Sequence, residues 1–427
     1  MLDQKRILIL TADAGFGHRS AANAVAAALE ERGEGRYQVD VVNALEDKRA
    51  PFFLRDVGSD YDKMIRNVPE LYRFGYDASD ATVPATIIDS IMVVFLFEIM
   101  RDVVRQYQPD AILTTYPLYQ APMSAVFILG RRYIPFLTVV TDLVTVHRIW
   151  FHRAVDACLV ATDQVAELAR ASGIAEEKII VTGLPVNPNI IRETRTREQV
   201  RADLGWDTGL TTLLAVGSRR VENLLPTLRV VNHFGAPLQL AVVAGKDEEL
   251  YRELVDTEWH LPAVHLYEFS SDVPSMMHAS DAVICKAGGL IVTESLACGK
   301  PMMLIDLIPG QETGNAEYVI QGGAADLAEN PLEVLEILSH WMQNSGAMLA
   351  ERGANAVRLG KPEAAYRVAD LMMEAANRGP VSRRARKIEG RTTLVGLLQK
   401  NHVRWEESLR AQAVEQDEAN AASSPHI

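Results

Sequence analysis

Residues 282–325 change from a strand pattern to a helix pattern and back to a strand pattern, which limits the folds open to this chain. Residues 282–285 form a short apolar run typical of a strand buried on both faces. Residues 290–298 have helical spacing, and residues 302–305 predict the next strand. Strands that alternate with helices in this way are typical of α/β proteins with parallel sheets. The stretch therefore predicts a parallel sheet with helices packed against it.

The turn between this strand and this helix has the features of a phosphate site. Gly288 and Gly289 carry no Cβ and leave the backbone N–H groups accessible. The helix dipole adds about half a positive charge at the amides near Leu290. Glu294, about one turn further along, is placed to accept hydrogen bonds from a ribose. A polar run over residues 309–315 follows the next strand at its carboxyl end, where open α/β sheets bind ligands.

Length, charge and composition narrow the class of protein. A chain of 427 residues is too long for one hydrophobic core, so we expect two domains. The formal charge of −13 argues against nucleic acid as a partner, because a phosphate backbone calls for a basic surface. Cys158, Cys285 and Cys298 lie far apart without metal-ligand spacing, which favours buried thiols. No run reaches the roughly 18 apolar residues of a membrane span, so we expect a cytoplasmic protein whose membrane contact is peripheral.

The N-terminal half also opens with a β-α-β pattern. Residues 7–10 and 37–42 predict strands on either side of an alanine-rich helix. The motif Gly15-x-Gly17-His18 precedes that helix, and its glycines permit a sharp turn and the close approach of a substrate. An imidazole titrates near neutral pH, and the helix N-terminus disfavours its cationic form, which suits a general base. From the residues alone, a histidine that only caps the helix is the alternative.

Asp142 is a second candidate catalytic residue. The strand predicted over residues 136–141 ends just before it, so its carboxylate lies at the carboxyl end of the sheet. From there Asp142 could orient His18 or contact the hydroxyls of an acceptor. Helix capping is the alternative.

The second half repeats the alternation of strands and helices. Residues 192–206 predict a charged linking helix, and strands are predicted over residues 211–216, 240–243 and 263–266. Two such halves indicate facing Rossmann-like domains with a cleft between them.

Two segments bear on membrane contact. Residues 83–100 predict a helix that is apolar nearly all round. Such a helix is usually buried in a core, and the alternative is a hydrophobic surface that touches a membrane or acyl chains. Residues 378–427 are basic with an apolar side and then polar, which favours either an anionic membrane anchor or a solvated tail.

Four motifs occur in order: Gly15-x-Gly17-His18, His147-x-x-Trp150, Gly288-Gly289-Leu290-x-x-x-Glu294 and Pro309-Gly310-Gln311-Glu312. Together they resemble the monogalactosyldiacylglycerol synthase and processive diacylglycerol glucosyltransferase family. That family is itself similar to the lipid-linked N-acetylglucosaminyltransferase of peptidoglycan synthesis. The resemblance covers roughly residues 5–375.

The resemblance implies an α/β protein of the GT-B class, with two facing Rossmann-like domains and an interdomain cleft. Residues 1–190 would form the acceptor-binding domain and residues 191–375 the nucleotide-sugar-binding domain. A last helix, at about residues 361–377, would return to the first domain, and residues 378–427 would form the tail.

The resemblance also implies an inverting glycosyltransferase that moves a hexose from a UDP-sugar to a diacylglycerol-type lipid at a membrane surface. The UDP-sugar is then a co-substrate, and no cofactor is expected. Asp60-x-Asp62 has the form of a metal motif of other glycosyltransferases, but no strand leads into it, so we assign no metal. The alternatives are transfer to another lipid-linked acceptor, epimerisation of a nucleotide sugar, and a non-catalytic protein that binds nucleotide sugar or membrane.

The resemblance assigns roles to individual residues. The catalytic residues are His18 and Asp142. The donor-binding residues are Gly217, Ser218, Arg219, Gly245, Lys246, Phe269, Val273, Gly288, Gly289, Leu290, Glu294, Gln311, Glu312 and Asn315. The acceptor-binding residues are Gly15, Gly17, Tyr72, His147 and Trp150.

The sequence departs from the family pattern in the first loop of the second half. Relatives carry a glycine-rich turn there, whereas this chain has Val216-Gly217-Ser218-Arg219-Arg220. The two arginines can hold a diphosphate through charge-assisted hydrogen bonds. Either they replace the backbone amides of the glycine-rich turn, or this loop does not bind the ligand.

Overall fold

The computed structural model describes residues 4–13, 16–51, 54, 82–130, 132–218, 221–310 and 312–382. Within them the chain forms two sheets of six parallel strands and one short antiparallel pair. The short apolar runs of the sequence occupy these strands, as expected for strands that are covered on both faces.

The first sheet has the strand order β2-β1-β3-β5-β6-β7. Its strands are β1 (Lys5–Thr11), β2 (Tyr37–Asn43), β3 (Ala111–Thr114), β5 (Phe136–Val139), β6 (Ala157–Val160) and β7 (Ile179–Val181). The helices around it are α1 (Phe16–Gly33), α2 (Thr82–Tyr107), α3 (Gln120–Leu129) and α4 (Asp163–Ala171). The short strand β4 (Arg132–Tyr133) pairs with β14 (Val381–Ser382), near the end of the described chain.

The second sheet has the order β10-β9-β8-β11-β12-β13. Its strands are β8 (Thr211–Val216), β9 (Leu238–Val243), β10 (Ala263–Tyr267), β11 (Ala282–Lys286), β12 (Met302–Asp306) and β13 (Ala325–Leu327). Its helices are α7 (Leu224–Asn232), α8 (Glu248–Asp256), α9 (Val273–Ala279), α10 (Gly289–Ala297), α11 (Thr313–Gln321), α12 (Pro331–Met342) and α13 (Ala347–Leu359). The alternation predicted over residues 282–305 corresponds to β11, α10 and β12.

The core of the first domain lies on both faces of its sheet. In β1, Ile7 and Ile9 pack in one cluster and Leu8 and Leu10 in another, and all four side chains are buried. This division follows from the strand period of two, because alternate side chains point to opposite faces.

The chain's last long helix, α14 (Ala364–Arg378), belongs spatially to the first domain. Its side chains, including Val368 and Met372, are buried in the same cluster as Ile7 and Ile9 of β1. The chain therefore passes from the first domain to the second and then back again.

The link between the domains is two short helices rather than the single helix predicted over residues 192–206. These are α5 (Asn189–Arg192) and α6 (Arg197–Leu204). Thr196 caps α6, and Gln199 completes a reciprocal capping box with it, so a new helix begins there. The side chain of Arg201 is buried and donates to the carbonyl of Ala279 at 2.7 Å, which fixes α6 to the second domain.

Helix α2 is buried on one face only. Met92, Leu96 and Met100 lie in the core of the first domain. Ile91 and Phe95 are exposed, and Val94 is 65% exposed, so the helix also presents an apolar stripe to the surface. The expected burial in a core therefore holds for one face of the helix, and contact of the exposed face with a membrane stays a prediction. None of the described helices combines the length and the apolar character needed to cross a membrane.

Candidate active site

His18 lies in the first turn of α1, directly beyond the carboxyl end of β1. Its backbone carbonyl accepts a hydrogen bond from Thr115 Oγ1 at 3.0 Å, which ties the start of the helix to the end of β3. Its imidazole Nδ1 lies 2.8 Å from Thr141 Oγ1. Two hydrogen bonds therefore fix both the backbone and the ring of this residue.

The surroundings of His18 keep its ring neutral. The ring meets Tyr116 edge to face at a centroid distance of 5.1 Å and lies 5.9 Å from the Trp150 indole. Burial among these groups lowers the pKa of His18 to about 4. In the tautomer whose Nδ1–H donates to Thr141 Oγ1, Nε2 carries the lone pair, and within the described chain no partner occupies it. The ring is thus a base at neutral pH.

Asp142 does not orient His18, contrary to one of the two roles expected for it. Its Oδ2 accepts a hydrogen bond from the indole N–H of Trp150 at 2.8 Å, and the neighbouring Thr141 bonds the histidine instead. The carbonyl of Trp150 in turn accepts from Gln120 Nε2 at 3.0 Å. Asp142 thus holds the indole that packs near His18, while burial raises the pKa of its carboxyl to about 6.

The predicted acceptor residues are placed differently from one another. Trp150 is buried, and His147 Nδ1 accepts from the backbone N–H of Ile149 at 3.2 Å, so both support the loop that follows β5. A Cβ built at Gly17 would meet open space, which leaves room for a substrate beside His18. Gly15 and Tyr72 lie outside the described residues.

The predicted phosphate site is the N-terminus of α10. Gly288 is its N-cap residue in an extended conformation, and no side chain caps the helix. The amides of its first turn, including those of Gly289 and Leu290, are therefore available to an anion. A Cβ built on Gly289 would lie 3.8 Å from the carbonyl oxygen of Thr141, so the first domain directly faces this helix end.

Thr141 therefore contacts both halves of the site. Its hydroxyl bonds His18, and its carbonyl lies beside Gly289 at the start of α10. Four residues further along, Thr145 packs against Gly314 in the first turn of α11 and leaves no room there for a Cβ. The loop after β5 thus contacts the starts of α10 and α11 in the second domain. Sequence reasoning missed Thr141, although it is the last residue of the strand predicted over residues 136–141 and directly precedes Asp142.

Glu294 lies half-buried in α10, and burial raises the pKa of its carboxyl to about 7. Among the described residues its carboxylate has no hydrogen-bond partner. A desolvated carboxylate without a partner is costly, and two ribose hydroxyls would satisfy it. This placement is compatible with the predicted contact to ribose, which stays a prediction.

The polar run after β12 is fixed by an ion pair and hydrogen bonds to other groups of the protein. Glu312 forms an ion pair with Lys286 at the end of β11, and its second carboxylate oxygen accepts from the N–H of Ile308 at 2.9 Å. Asn315 Nδ2 donates to the carbonyl of Ala287 at 3.1 Å. Glu312 and Asn315 thus each use some of their polar atoms in hydrogen bonds within the protein. Their contacts to sugar hydroxyls stay a prediction. Gln311 lies outside the described residues, and Lys286 was not predicted.

Gly217 and Gly245 lie at the carboxyl ends of β8 and β9 and are packed against each other. The φ angle of Gly245 is +70°, and a Cβ there would overlap the carbonyl oxygen of Gly217. Both glycines therefore permit the close approach of two loops at the edge where a nucleotide would lie. Ser218 is half-buried in the same loop, and Arg219 lies outside the described residues.

Lys246 and Phe269 form an open platform beside these glycines. The Lys246 ammonium lies 4.4 Å from the centre of the exposed Phe269 ring, a cation–π contact. Lys246 has a φ of +66°, and its N–H donates to the carbonyl of Glu268 at 3.0 Å. Val273 begins α9 a few residues further on. An exposed aromatic face of this kind can stack against a base.

Comparison with known proteins agrees with this geometry. Residues 18–186 match the family model for monogalactosyldiacylglycerol (MGDG) synthase, and residues 213–368 match the glycosyltransferase family 28 C-terminal domain. The MGDG synthase of Spinacia oleracea is 32% identical over 378 residues, which are 85% of this chain and 71% of that protein. MGDG synthase 1 of Arabidopsis thaliana is 30% identical over 383 residues, with coverages of 87% and 71%.

The chain belongs to the MGDG synthase family. Family membership makes it a glycosyltransferase, as the resemblance implied.

Solved structures establish the fold of this family member. MurG of Acinetobacter baumannii aligns with a TM-score of 0.57 at 18% identity, covering 87% of this chain and all of the other. The UDP-GlcNAc 2-epimerase of Neisseria meningitidis, bound to UDP-GlcNAc, aligns with a TM-score of 0.55 at 14% identity, with coverages of 86% and 100%. The predicted GT-B fold of two Rossmann-like domains is confirmed.

Replacement of Thr141 tests whether its hydrogen bond to His18 positions the imidazole. We expect Thr141→Val to lower kcat about 10- to 100-fold, because the loss of one buried hydrogen-bond partner costs about 1–3 kcal/mol and lets the imidazole turn or change tautomer. Thr141→Ser keeps the hydroxyl and should retain most of the activity, and both variants should bind UDP as the wild type does. Equal kcat values for the Val and Ser variants would contradict this role.

The titration of Glu294 gives a prediction for pH. Since its carboxyl ionises near pH 7 and the ionised form is the better acceptor for ribose hydroxyls, UDP affinity should be high above pH 7 and fall as the pH drops through that value. We expect about a three- to tenfold change between pH 6 and pH 8 by calorimetry. Glu294→Gln should show only the smaller change that comes from UDP's own phosphate. The same pH dependence in both proteins would refute the assignment.

Proposed function

We infer that this enzyme transfers a hexose from a UDP-sugar to a diacylglycerol-type lipid, and we propose that the hexose is galactose. The observation that carries the reaction is the placement of a neutral His18, with Nε2 unoccupied by any described residue, in the same cleft as the uncapped N-terminus of α10. The proposal of galactose rests on the relatives, whose names specify a monogalactosyldiacylglycerol product.

The proposed reaction is a single displacement at the anomeric carbon. His18 Nε2 removes the proton of the acceptor hydroxyl while the hydroxyl oxygen bonds to that carbon. The bond from the anomeric carbon to the β-phosphate oxygen breaks, and its electron pair stays on the departing UDP. Amides at the start of α10 stabilise the added negative charge. Attack from the side opposite the leaving group inverts the anomeric configuration.

The low pKa of His18 suits this role. A base with a pKa of about 4 stays unprotonated across the neutral range, so it is ready to accept a proton on each turnover. Its intrinsic basicity is modest. Transfer to it therefore depends on developing positive charge on the acceptor oxygen as the bond to the sugar forms.

The decisive assay offers the enzyme UDP-galactose, UDP-glucose and UDP-N-acetylglucosamine in turn, with diacylglycerol in phosphatidylcholine vesicles. Mass analysis of the lipids should show one added galactose, and NMR should show the inverted anomer. His18→Ala should lower turnover about 10²- to 10⁴-fold with UDP affinity unchanged.

Three outcomes would contradict the proposal. Retention of full activity in His18→Ala would remove the proposed base. Conversion of UDP-sugar without any lipid would indicate an epimerase instead. Absence of UDP binding at millimolar concentration would indicate a protein without a donor site.

We further propose that the apolar stripe of α2 contacts the membrane that contains the acceptor. Ile91, Val94 and Phe95 are exposed on this helix, and a diacylglycerol acceptor is dissolved in a bilayer. The stripe belongs to the domain that carries His18. Its contact with lipid would therefore bring the base to the membrane surface.

A matched pair of variants tests this contact. Val94→Asp should weaken binding to vesicles of phosphatidylcholine, phosphatidylglycerol and diacylglycerol about tenfold, because it removes roughly 1.5 kcal/mol of apolar burial. Val357→Asp is the control, since Val357 is 67% exposed, against 65% for Val94, and lies on α13 of the other domain. Equal vesicle binding by the two variants in flotation assays would contradict the contact.

A further inference from the structure

Lys286 is a nearly buried cation that lies just before the start of α10. It is the last residue of β11, and its side chain is 15% exposed. The pairing of β11 with β12 shifts register between Cys285 and Lys286, an irregularity of the kind that redirects a side chain at the end of a strand. A Cβ built on Gly288 would lie 3.4 Å from Lys286 Cε. The lysine side chain therefore runs beneath the glycine turn that opens α10.

The ammonium has hydrogen-bonding capacity left over. A lysine carries three N–H donors, and within the described chain Lys286 Nζ contacts one acceptor, the carboxylate of Glu312. Glu312 is itself fixed, because its side chain is 7% exposed and its other oxygen accepts from the N–H of Ile308. Glu312 thus holds the ammonium in place without saturating it.

In the reaction proposed above, negative charge increases at the start of α10, next to the Gly288 turn. Cleavage of the bond to the sugar leaves one more negative charge on the diphosphate, and the helix dipole offers only about half a unit of positive charge. A Cβ built on Gly288 would also lie 3.5 Å from Glu312 Oε1, so the ammonium and its partner carboxylate both lie beside this turn. A cation at this turn complements the charge of the departing group.

We propose that Lys286 donates a hydrogen bond to the β-phosphate of the nucleotide sugar and stabilises the leaving UDP, with Glu312 as the residue that positions it. The ammonium keeps its protons throughout. The proton of the acceptor goes to His18, and the electron pair of the broken bond goes to the β-phosphate oxygen. This proposal rests on the glycosyl transfer proposed above and adds a residue to it.

A purely structural ion pair is the competing explanation, and a double variant separates the two. Lys286→Met strands the Glu312 charge and can destabilise the fold, since a buried charge without its partner is costly. The double variant Lys286→Met/Glu312→Gln leaves no charge behind. Where Lys286→Met lowers the melting temperature, the double variant should therefore melt close to the wild-type temperature.

The main measurement is the affinity for UDP without a sugar, which does not depend on any contact of Glu312 to sugar hydroxyls. We expect Lys286→Met and the double variant to bind UDP at least tenfold more weakly and to lose about 10²-fold in kcat with UDP-galactose. Lys286→Arg keeps the charge and should recover a large part of both. Glu312→Gln alone should weaken UDP binding less than Lys286→Met does, because the cation remains but loses the carboxylate that positions it.

Three outcomes distinguish failure of the Lys286 proposal from failure of the transfer reaction. Wild-type UDP affinity in the double variant would overturn the proposal and leave a structural ion pair. A wild-type enzyme that binds UDP but transfers no sugar, with affinity still lost in Lys286→Met, would refute the transfer reaction while the phosphate contact stands. Transfer by the wild type together with unchanged kcat and UDP affinity in Lys286→Met would refute the role of Lys286 alone.

Discussion

The site depends on one residue that contacts both of its halves. The Thr141 hydroxyl forms a hydrogen bond with His18 Nδ1, and the Thr141 carbonyl lies beside Gly289, where α10 begins. Glycosyl transfer requires the base and the charge-stabilising groups to act on one sugar carbon from opposite sides. Because they come from different domains, their separation is set by how the domains meet. The loop after β5 fixes that contact at Thr141 and again at Thr145 against Gly314.

Burial favours the neutral form of each of three titratable side chains in this site. The pKa of His18 falls to about 4, while those of Asp142 and Glu294 rise to about 6 and 7. In each case desolvation is the largest cause, and in each case the neutral form gains. The desolvated site therefore keeps His18 a neutral base across the neutral range.

Local sequence patterns predicted the elements of this fold because each strand and helix had its own signal. The Gly-Gly turn between β11 and α10, the position of His18 at a helix start and the placement of Glu294 in α10 all follow from short-range patterns. The sequence also contained a signal for the helix that starts after Thr196, since Thr196 and Gln199 have the spacing of a capping box. It was missed because the charged linker looked continuous.

Long-range contacts were not predictable in the same way. Asp142 and Thr141 are adjacent, and only the way the loop leaves β5 decides which of them bonds His18. Lys286 looked like an ordinary residue at the end of a strand, because its partner Glu312 lies beyond another helix and strand. The exposed stripe on α2 was ambiguous for a related reason, since an all-apolar pattern does not indicate which face meets the core.

The return of α14 to the first domain has a consequence for how the chain folds as it is made. Ile7, Ile9 and the inner face of α1 share their cluster with Val368 and Met372. The half synthesised first therefore lacks part of one side of its core until α14 has left the ribosome. Part of the apolar face of the first sheet stays uncovered while the second domain is synthesised. The first domain is complete only when α14, which follows the second domain in the chain, packs against it.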